Sequence, residues 1–177
     1  MTDVVATDGV VSLRRWREDD ADAVYEACQD AEIQYWIPLI PRPYRREHAL
    51  AFVRGEVEGI GAQQYAIVDG GRVVGSIGMG VNRNRTGHVG YWCAAEARGR
   101  GVVTRALRLL SRYGFEELAL QRLELITDPD NRASQGVAER VGYRREGVLR
   151  SHLDHPDGRR RNSVMFSFLP AELVVDD

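Results

Sequence analysis

The chain contains 177 residues, of which 44% are hydrophobic and 28% are charged, and its formal net charge is −2 at pH 7. These values are typical of a globular protein and argue against a general nucleic-acid binder, and no apolar run forms a transmembrane span or a signal peptide. The sequence therefore predicts one cytoplasmic domain over residues 1–177, with a core at about 10–169 and flexible termini.

All 24 basic residues of the chain are arginine. Because lysine is absent, the chain has no P-loop lysine, no Schiff-base lysine and no kinase lysine, which excludes three classes of enzyme mechanism. The two cysteines, Cys28 and Cys93, do not form a CxxC pair. Neither a disulfide scaffold nor a zinc cluster is therefore predicted, and no metal is expected.

Hydrophobic periodicity and turn residues divide the chain into short elements. Apolar alternation predicts seven strands, at residues 10–15, 63–68, 73–79, 88–94, 123–127, 143–152 and 162–169. Apolar residues at a spacing of 3.6 predict four helices, at residues 21–28, 44–58, 101–118 and 132–141. Asp19 or Asp20 is placed to cap the first helix and Gly142 to cap the last, and a proline-rich loop at 36–43 precedes the second.

A βαβ unit occupies the middle of the chain. Strand 88–94, a glycine turn, helix 101–118 and strand 123–127 follow one another, so the two strands are expected to be parallel with a right-handed crossover. Short turns at 69–71 and 156–158 join the neighbouring strands into antiparallel hairpins. The sequence therefore predicts a mixed sheet in an α/β (α+β) fold.

Residues 98–104 join the strand and the helix of this unit through two glycines and two arginines. A helix start leaves N–H groups unpaired and carries partial positive charge, and glycine lets the main chain approach an anion. The junction therefore predicts a phosphate site. A dinucleotide fold needs a third glycine where Thr104 stands, and its βαβ unit opens the sheet, so a Rossmann-like nucleotide-binding protein is the weaker alternative.

The loop and two downstream segments resemble the GNAT acyl-CoA N-acyltransferases, and within them the RimJ/RimL-like branch of protein N-terminal acetyltransferases. Arg98, Gly101 and, less closely, Val103 match the acyl-CoA loop pattern R/Q-x-x-G-x-G/A, while Ala95 stands where the branch often has proline. The segments D-P-x-N-x-x-S and G-F/Y-x-x-E-G are matched by Asp128, Pro129, Asn131, Ser134, Gly142, Tyr143, Glu146 and Gly147.

This resemblance implies a mixed, mostly antiparallel, seven-stranded sheet with helices on both faces and a central parallel βαβ unit that binds acyl-CoA. Acetyl-CoA is the implied co-substrate. Backbone N–H groups of the loop would bind its pyrophosphate, the loop arginines would add charge, and the pantetheine would pair with the first strand of the unit. The implied cofactor site consists of Trp92, Cys93, Ala94, Arg98, Gly99, Arg100, Gly101, Val102, Val103, Thr104, Asn131 and Ser134.

Several of these residues have a structural alternative. Arg98 and Arg100 are also compatible with solvated loop positions, and Asn131 with a helix cap. Val103 adds bulk where the pyrophosphate approaches, although only backbone donors are required there. Cys93 could form an acyl-cysteine intermediate, but it is also compatible with a half-buried cysteine of a strand that has no catalytic role. Outside the cofactor site, the residues interpreted as structural are Tyr143 and Glu146.

The implied reaction is attack of a primary amine on the acetyl thioester, with a backbone N–H near Cys93 or Ala94 stabilising the oxyanion. Ser134 is the candidate donor to the leaving thiolate, and Asp154 is the candidate base. Ser134 is also compatible with a serine that caps a helix, and Asp154 with a polar turn. The lower-ranked candidate bases are His152, His155 and Glu32.

An N-terminal α-amine is the favoured acceptor. Its deprotonation at pH 7 costs about 1 kcal/mol, against about 4.6 kcal/mol for a lysine amine, so a weak or water-relayed base suffices. The apolar loop at 36–41 is expected to shape the acceptor pocket and is equally compatible with an aminoglycoside-like amine or a polyamine. A non-catalytic acyl-CoA sensor and a homodimer are left open.

Overall fold

A computed structural model describes residues 3–58, 61, 63–155 and 157–173. Its strands are β1 (Val4–Thr7), β2 (Val11–Arg14), β3 (Gln63–Asp69), β4 (Arg72–Val81), β5 (Thr86–Cys93), β6 (Arg122–Thr127), β7 (Arg144–Asp154) and β8 (Arg160–Phe168). Its helices are α1 (Ala21–Ala27), α2 (Ala31–Trp36), α3 (Arg46–Val53), α4 (Val102–Glu116) and α5 (Arg132–Val141). Pro156 and the terminal residues 1–2 and 174–177, which belong to a predicted turn and to the termini expected to be flexible, lie outside the described residues.

The strands form one mixed sheet in the order β1-β2-β3-β4-β5-β6-β8-β7. Only β5 and β6 are parallel within the described part of the chain, which confirms the predicted βαβ pair and the mostly antiparallel sheet. The sheet has eight strands rather than seven, because β1 adds to the edge of β2. This strand has four residues and none of them is fully buried, so its hydrophobic pattern gives little signal.

Two local predictions need correction. Asp20 does not cap α1 with its side chain. Its carboxylate instead accepts two hydrogen bonds of 2.7 Å from the Arg14 guanidinium and one from the backbone N–H of Arg17. The second predicted helix is shorter than expected and is preceded by α2, which Asp30 caps by accepting hydrogen bonds from the N–H groups of Glu32 and Ile33.

Helices cover both faces of the sheet, as predicted. The side chains of α4 and α5 pack with one face in the larger core cluster, whereas α1, α2 and α3 form a second cluster with Trp92 on the other face. Tyr91 and Cys93 belong to the first cluster, as strand alternation requires. None of the helices in the described ranges has the length and apolar character to cross a membrane.

The two parallel strands separate towards their carboxyl ends. β5 pairs with β6 only from Thr86 opposite Arg122 to Val89 opposite Leu125. It continues beside β4 as far as Cys93, while β6 continues beside β8. Residues 90–93 therefore have no partner on the β6 side, and a gap opens in the middle of the sheet.

Candidate active site

The loop after β5 turns sharply before α4. Gly99 and Gly101 have φ values of 72° and 75°, a backbone conformation that glycine adopts without strain. A Cβ built at either position would meet no atom within 4 Å, so the requirement for glycine is conformational. The turn aims the first turn of α4 at the gap between β5 and β6.

The first turn of α4 offers free hydrogen-bond donors. The first bond from the helix to its N-cap runs from the Arg105 N–H to the Gly101 carbonyl. No described group accepts a hydrogen bond from the N–H of residues 102, 103 or 104. Three adjacent N–H groups at the positive end of a helix form an anion site.

A cavity of about 510 Å³ lies between this helix start, the unpaired end of β5, the start of α5 and the covering helix α2. It is lined by Glu32, Ile33, Trp36, Ile37, Tyr91, Trp92, Cys93, Ala97, Arg98, Gly99, Gly101, Val102, Val103, Thr104, Asn131, Arg132, Ala133, Ser134, Val137 and Arg140. The cavity thus joins a polar anion site to an apolar wall.

Most of the predicted cofactor site meets in this cavity. Ten of its residues line the wall, and the two that do not are Ala94 and Arg100. The Ala94 N–H donates to the Val74 carbonyl at 2.9 Å, so it is not available to an oxyanion. Hydrogen bonding alternates along an antiparallel pair, so the main chain of Cys93 faces the gap instead. Of the two predicted oxyanion donors, Cys93 is the one whose N–H faces the gap, and its role stays a prediction.

The loop arginines are paired with carboxylates. Arg98 forms ion pairs with Glu32 at 2.7 Å and with Asp30 at 3.2 Å, and its Nε donates to the Cys93 carbonyl. Arg100 pairs with Asp69 at 2.8 Å, outside the cavity. Arg98 therefore links α2 to the loop before α4, a contact that the sequence did not predict because the partners are more than 60 residues apart.

A different arginine reaches the helix start. Arg140 of α5 lines the cavity, and its Nε lies 3.5 Å from the Thr104 hydroxyl. Within the described residues it has no ion pair with a carboxylate. Its place in the last turn of α5 gave no signal in the sequence, because a basic residue near a helix C-terminus is ordinarily explained by the helix dipole.

Ser134 and Asn131 lie together at the start of α5. The Asn131 side chain accepts a hydrogen bond of 3.0 Å from the Ser134 N–H, so Asn131 is a helix cap here. The Ser134 hydroxyl oxygen lies 2.9 Å from the hydroxyl of Tyr91. Tyr91 was not singled out from the sequence, although it directly precedes the predicted Trp92–Ala94 segment.

Of the candidate bases, only Glu32 lines the cavity. Asp154 is paired with Arg160 at 2.8 Å, and its side chain is 83% exposed. His152 lies 3.1 Å from the Ser163 hydroxyl, and His155 lies beside Asp157. Aromatic contact between His155 and Tyr35 ties the β7–β8 turn to α2.

Burial raises the pKa of the Cys93 thiol to about 11. A cysteine nucleophile acts as the thiolate, which this environment disfavours at neutral pH. The thiol therefore fits the strand-cysteine interpretation and not the acyl-cysteine intermediate.

A model of the GNAT acetyltransferase domain matches residues 11–144. The chain belongs to the GNAT acetyltransferase family. This GNAT acetyltransferase is 39% identical over 89 residues to YdaF of Bacillus subtilis, whose name assigns it provisionally to ribosomal N-acetylation, across 50% of this chain and 48% of YdaF. It is 31% identical over 81 residues to spermidine N(1)-acetyltransferase of Escherichia coli, across 46% and 43%. The chain thus spans less than half the length of these two curated relatives.

Among solved structures, RimJ of Mycobacterium smegmatis in complex with CoA-disulfide superposes with a TM-score of 0.79 at 26% identity, covering 98% of this chain and 88% of RimJ. The similarity to RimJ and YdaF confirms the predicted family and branch. The GNAT membership also confirms an acyltransferase. The individual site residues remain predictions that rest on the geometry described above.

Proposed function

We propose that this GNAT acetyltransferase binds acetyl-CoA in the cavity between β5, α4 and α5 and transfers the acetyl group to the α-amine of a protein N-terminus. The observation that carries the proposal is the coincidence of two features. The gap at residues 90–93 lies directly beside the unpaired N–H groups at the start of α4. A slot for an extended amide chain and a site for its pyrophosphate are thus adjacent.

The residues present fit the cofactor. The N–H groups of residues 102–104 would hold the pyrophosphate, and Arg140 would supply the positive charge that the ion-paired loop arginines do not. Val103 lines the cavity, but the donors belong to the backbone, so its side chain does not remove them. The main chain of Tyr91 faces the gap and would pair with the pantetheine amides, as an added strand does, which leaves the Cys93 N–H for the oxyanion.

Direct transfer needs few catalytic groups. The neutral amine attacks the thioester carbonyl carbon, and the Cys93 N–H is placed to stabilise the oxyanion. An α-amine at pH 7 needs only a weak or water-relayed base, because its pKa is about 7.7 to 8.0. Glu32 is the carboxylate of the cavity wall, and it lies on the same side as the apolar residues of α2. Ser134 would donate a hydrogen bond to the leaving sulfur.

Asp154 has a smaller part in this proposal than the sequence suggested. Its carboxylate is paired with an arginine, as that of Glu32 is, but Asp154 is more exposed and lies outside the cavity wall. The role of Asp154 as general base is kept as a prediction to be tested beside Glu32. The substitutions Asp154→Asn and Glu32→Gln, each measured as a pH profile of kcat/KM, distinguish the two carboxylates.

A polyamine is the second candidate acceptor, and the similarity to spermidine N(1)-acetyltransferase favours it. The test is acetyl transfer from acetyl-CoA to peptides with different N-termini, to spermidine and to an aminoglycoside, followed as thiol release. We expect peptides to give the highest kcat/KM. A preference for spermidine would overturn the N-terminal assignment, and no turnover with any amine would overturn acetyl transfer at this cavity.

A further inference from the structure

Two hydroxyl groups face each other across the gap in the sheet. The Tyr91 hydroxyl oxygen lies 2.9 Å from Ser134 Oγ and 3.4 Å from the Ser134 carbonyl oxygen. Tyr91 belongs to the end of β5 that has no β6 partner, and Ser134 belongs to the first turn of α5. Both residues line the cavity. The pair therefore bridges the two elements that the separation of the strands leaves apart.

We propose that Tyr91 is a positioning residue that donates its hydrogen bond to Ser134 Oγ and thereby directs the Ser134 hydrogen towards the sulfur of the bound acyl thioester. This inference rests on the proposed function and adds a residue that the sequence resemblance did not mark. The Tyr91 hydroxyl lies closer to Oγ, at 2.9 Å, than to the Ser134 carbonyl oxygen, at 3.4 Å, so the contact with Oγ has the better hydrogen-bond distance.

The surroundings are compatible with Tyr91 as the donor, although the distance between the two hydroxyl oxygens permits a hydrogen bond in either direction. Burial raises the pKa of Tyr91 to about 12, so its phenol keeps its proton at neutral pH and cannot serve as a base. The Ser134 N–H is already bound to Asn131, which fixes the backbone of the serine. When Oγ accepts from Tyr91, its own hydrogen is left for a third group in the cavity.

The chemistry needs only a hydrogen bond at the sulfur. The amine nitrogen forms the new C–N bond, the C–S bond breaks, and its electron pair leaves on sulfur. The proton lost by the amine passes to water or to a weak base, and the thiolate later takes a proton from water. A thiol pKa of about 8.5 makes this thiolate an adequate leaving group, so Ser134 keeps its proton and stabilises developing charge.

The chain contains a matched control. Tyr143 and Ser111 form a second tyrosine–serine pair, also with 2.9 Å between their hydroxyl oxygens. Both are buried in the core, and neither lines the cavity. Burial likewise holds the pKa of Tyr143 above its usual range. The substitution Tyr143→Phe therefore removes the same chemical group from a place with no substrate.

The test is a double-mutant cycle with Tyr91→Phe, Ser134→Ala and both together, beside Tyr143→Phe. We expect Tyr91→Phe to lower kcat about tenfold with the KM for acetyl-CoA changed less than twofold, since one positioned hydrogen bond is lost in the transition state. In the Ser134→Ala background, Tyr91→Phe should have no further effect. Tyr143→Phe should leave kcat unchanged.

Additive effects in the cycle would overturn the proposal, and so would an unchanged kcat in Ser134→Ala. Both outcomes leave acetyl transfer by the unmodified enzyme intact, so the proposed function would survive them. Kinetics are measured at a temperature at which thermal unfolding shows all four variants to be folded. A rise in the KM for acetyl-CoA without a fall in kcat would assign Tyr91 to ground-state binding and would also overturn the proposal.

Discussion

The two tyrosine–serine pairs of this protein have the same hydroxyl separation and different surroundings. The core pair, Tyr143 and Ser111, is enclosed, and Tyr143 stacks on Phe168 while Ser111 donates to the Leu107 carbonyl. The cavity pair, Tyr91 and Ser134, spans the gap between β5 and α5. The local chemistry of a hydroxyl pair therefore does not assign its role. The pairing of the sheet around it does.

The largest effect is expected from a change to the cavity that touches neither pair. Val103→Asp places a carboxylate beside the N–H groups that would hold the pyrophosphate. Affinity for coenzyme A, measured by calorimetry, should fall about 100-fold, because the carboxylate would repel the phosphate groups that the helix start is proposed to bind. An acidic residue in the first turn of α4 suits the helix dipole, so thermal stability should not fall.

Val103→Ala is the control for that substitution. It shortens the side chain without adding charge and should leave coenzyme A affinity within about threefold. Equal affinity of Val103→Asp and the unmodified protein would place the phosphates elsewhere. In that case, the cavity would not be the site that binds coenzyme A.

The second largest effect is expected at the ion pairs that hold α2, the helix that covers the cavity. Arg98→Gln removes both ion pairs that hold α2 to the cofactor loop. The KM for the acceptor should rise about three- to tenfold, because partly exposed ion pairs each contribute modestly. Arg100→Gln removes a single pair with Asp69 outside the cavity and should change no kinetic constant by more than twofold. An equal effect from Arg98→Gln and Arg100→Gln would mean that the ion pairs between Arg98 and α2 do not shape the acceptor site.

A stability effect is expected at the core pair. Tyr143→Phe should lower the free energy of unfolding by about 1 kcal/mol, since one buried hydrogen bond is lost while Ser111 keeps its bond to Leu107. Urea unfolding measures this change. If Tyr143→Phe instead lost activity at unchanged stability, the core pair would not be purely structural and would no longer differ in role from the cavity pair.

The smallest effect is expected at Glu146, which sequence analysis interpreted as structural. Hydrogen bonds from Arg122 and then Ser167 lower the pKa of Glu146 to about 2. A carboxylate with a lowered folded-state pKa stabilises the fold above its ordinary pKa of 4.5, and that contribution is lost as the pH falls towards 2. Glu146→Gln should therefore raise the pH midpoint of acid unfolding. The rise should be only about a few tenths of a pH unit, because the ion pair between Arg122 and Glu146 is partly exposed. Activity at neutral pH should be unchanged.

The sequence predicted the elements that depend on local pattern. The seven predicted strands and the long helix α4 lie where periodicity placed them, and Gly142 adopts the left-handed conformation expected of a helix cap, with a φ of 108°. Short elements were missed. The four residues of β1 and the six of α2 carry too few periodic positions to rise above their flanking loops.

The partners of charged side chains were the least predictable part of the site. Arg98 and Arg100 lie in a glycine-rich loop whose sequence predicts phosphate binding. Each of them is nevertheless paired with a carboxylate from a distant segment. Asp154 became a candidate base through the family resemblance, but its carboxylate is exposed and paired with Arg160. Ion pairs form through space, and no periodicity in the chain records them.

By itself, the sequence determined the βαβ unit, the glycine turn before α4 and the family, because these depend on spacing along the chain and on the conformational freedom of glycine. Only the tertiary structure decided which main-chain groups face the gap, that Tyr91 meets Ser134, and that Arg140 rather than Arg100 reaches the helix start. The physical reason is that β5 pairs with β4 as far as its last residue, whereas the end of β6 pairs with β8 and no longer with β5. The resulting gap brings together groups that are far apart in the chain.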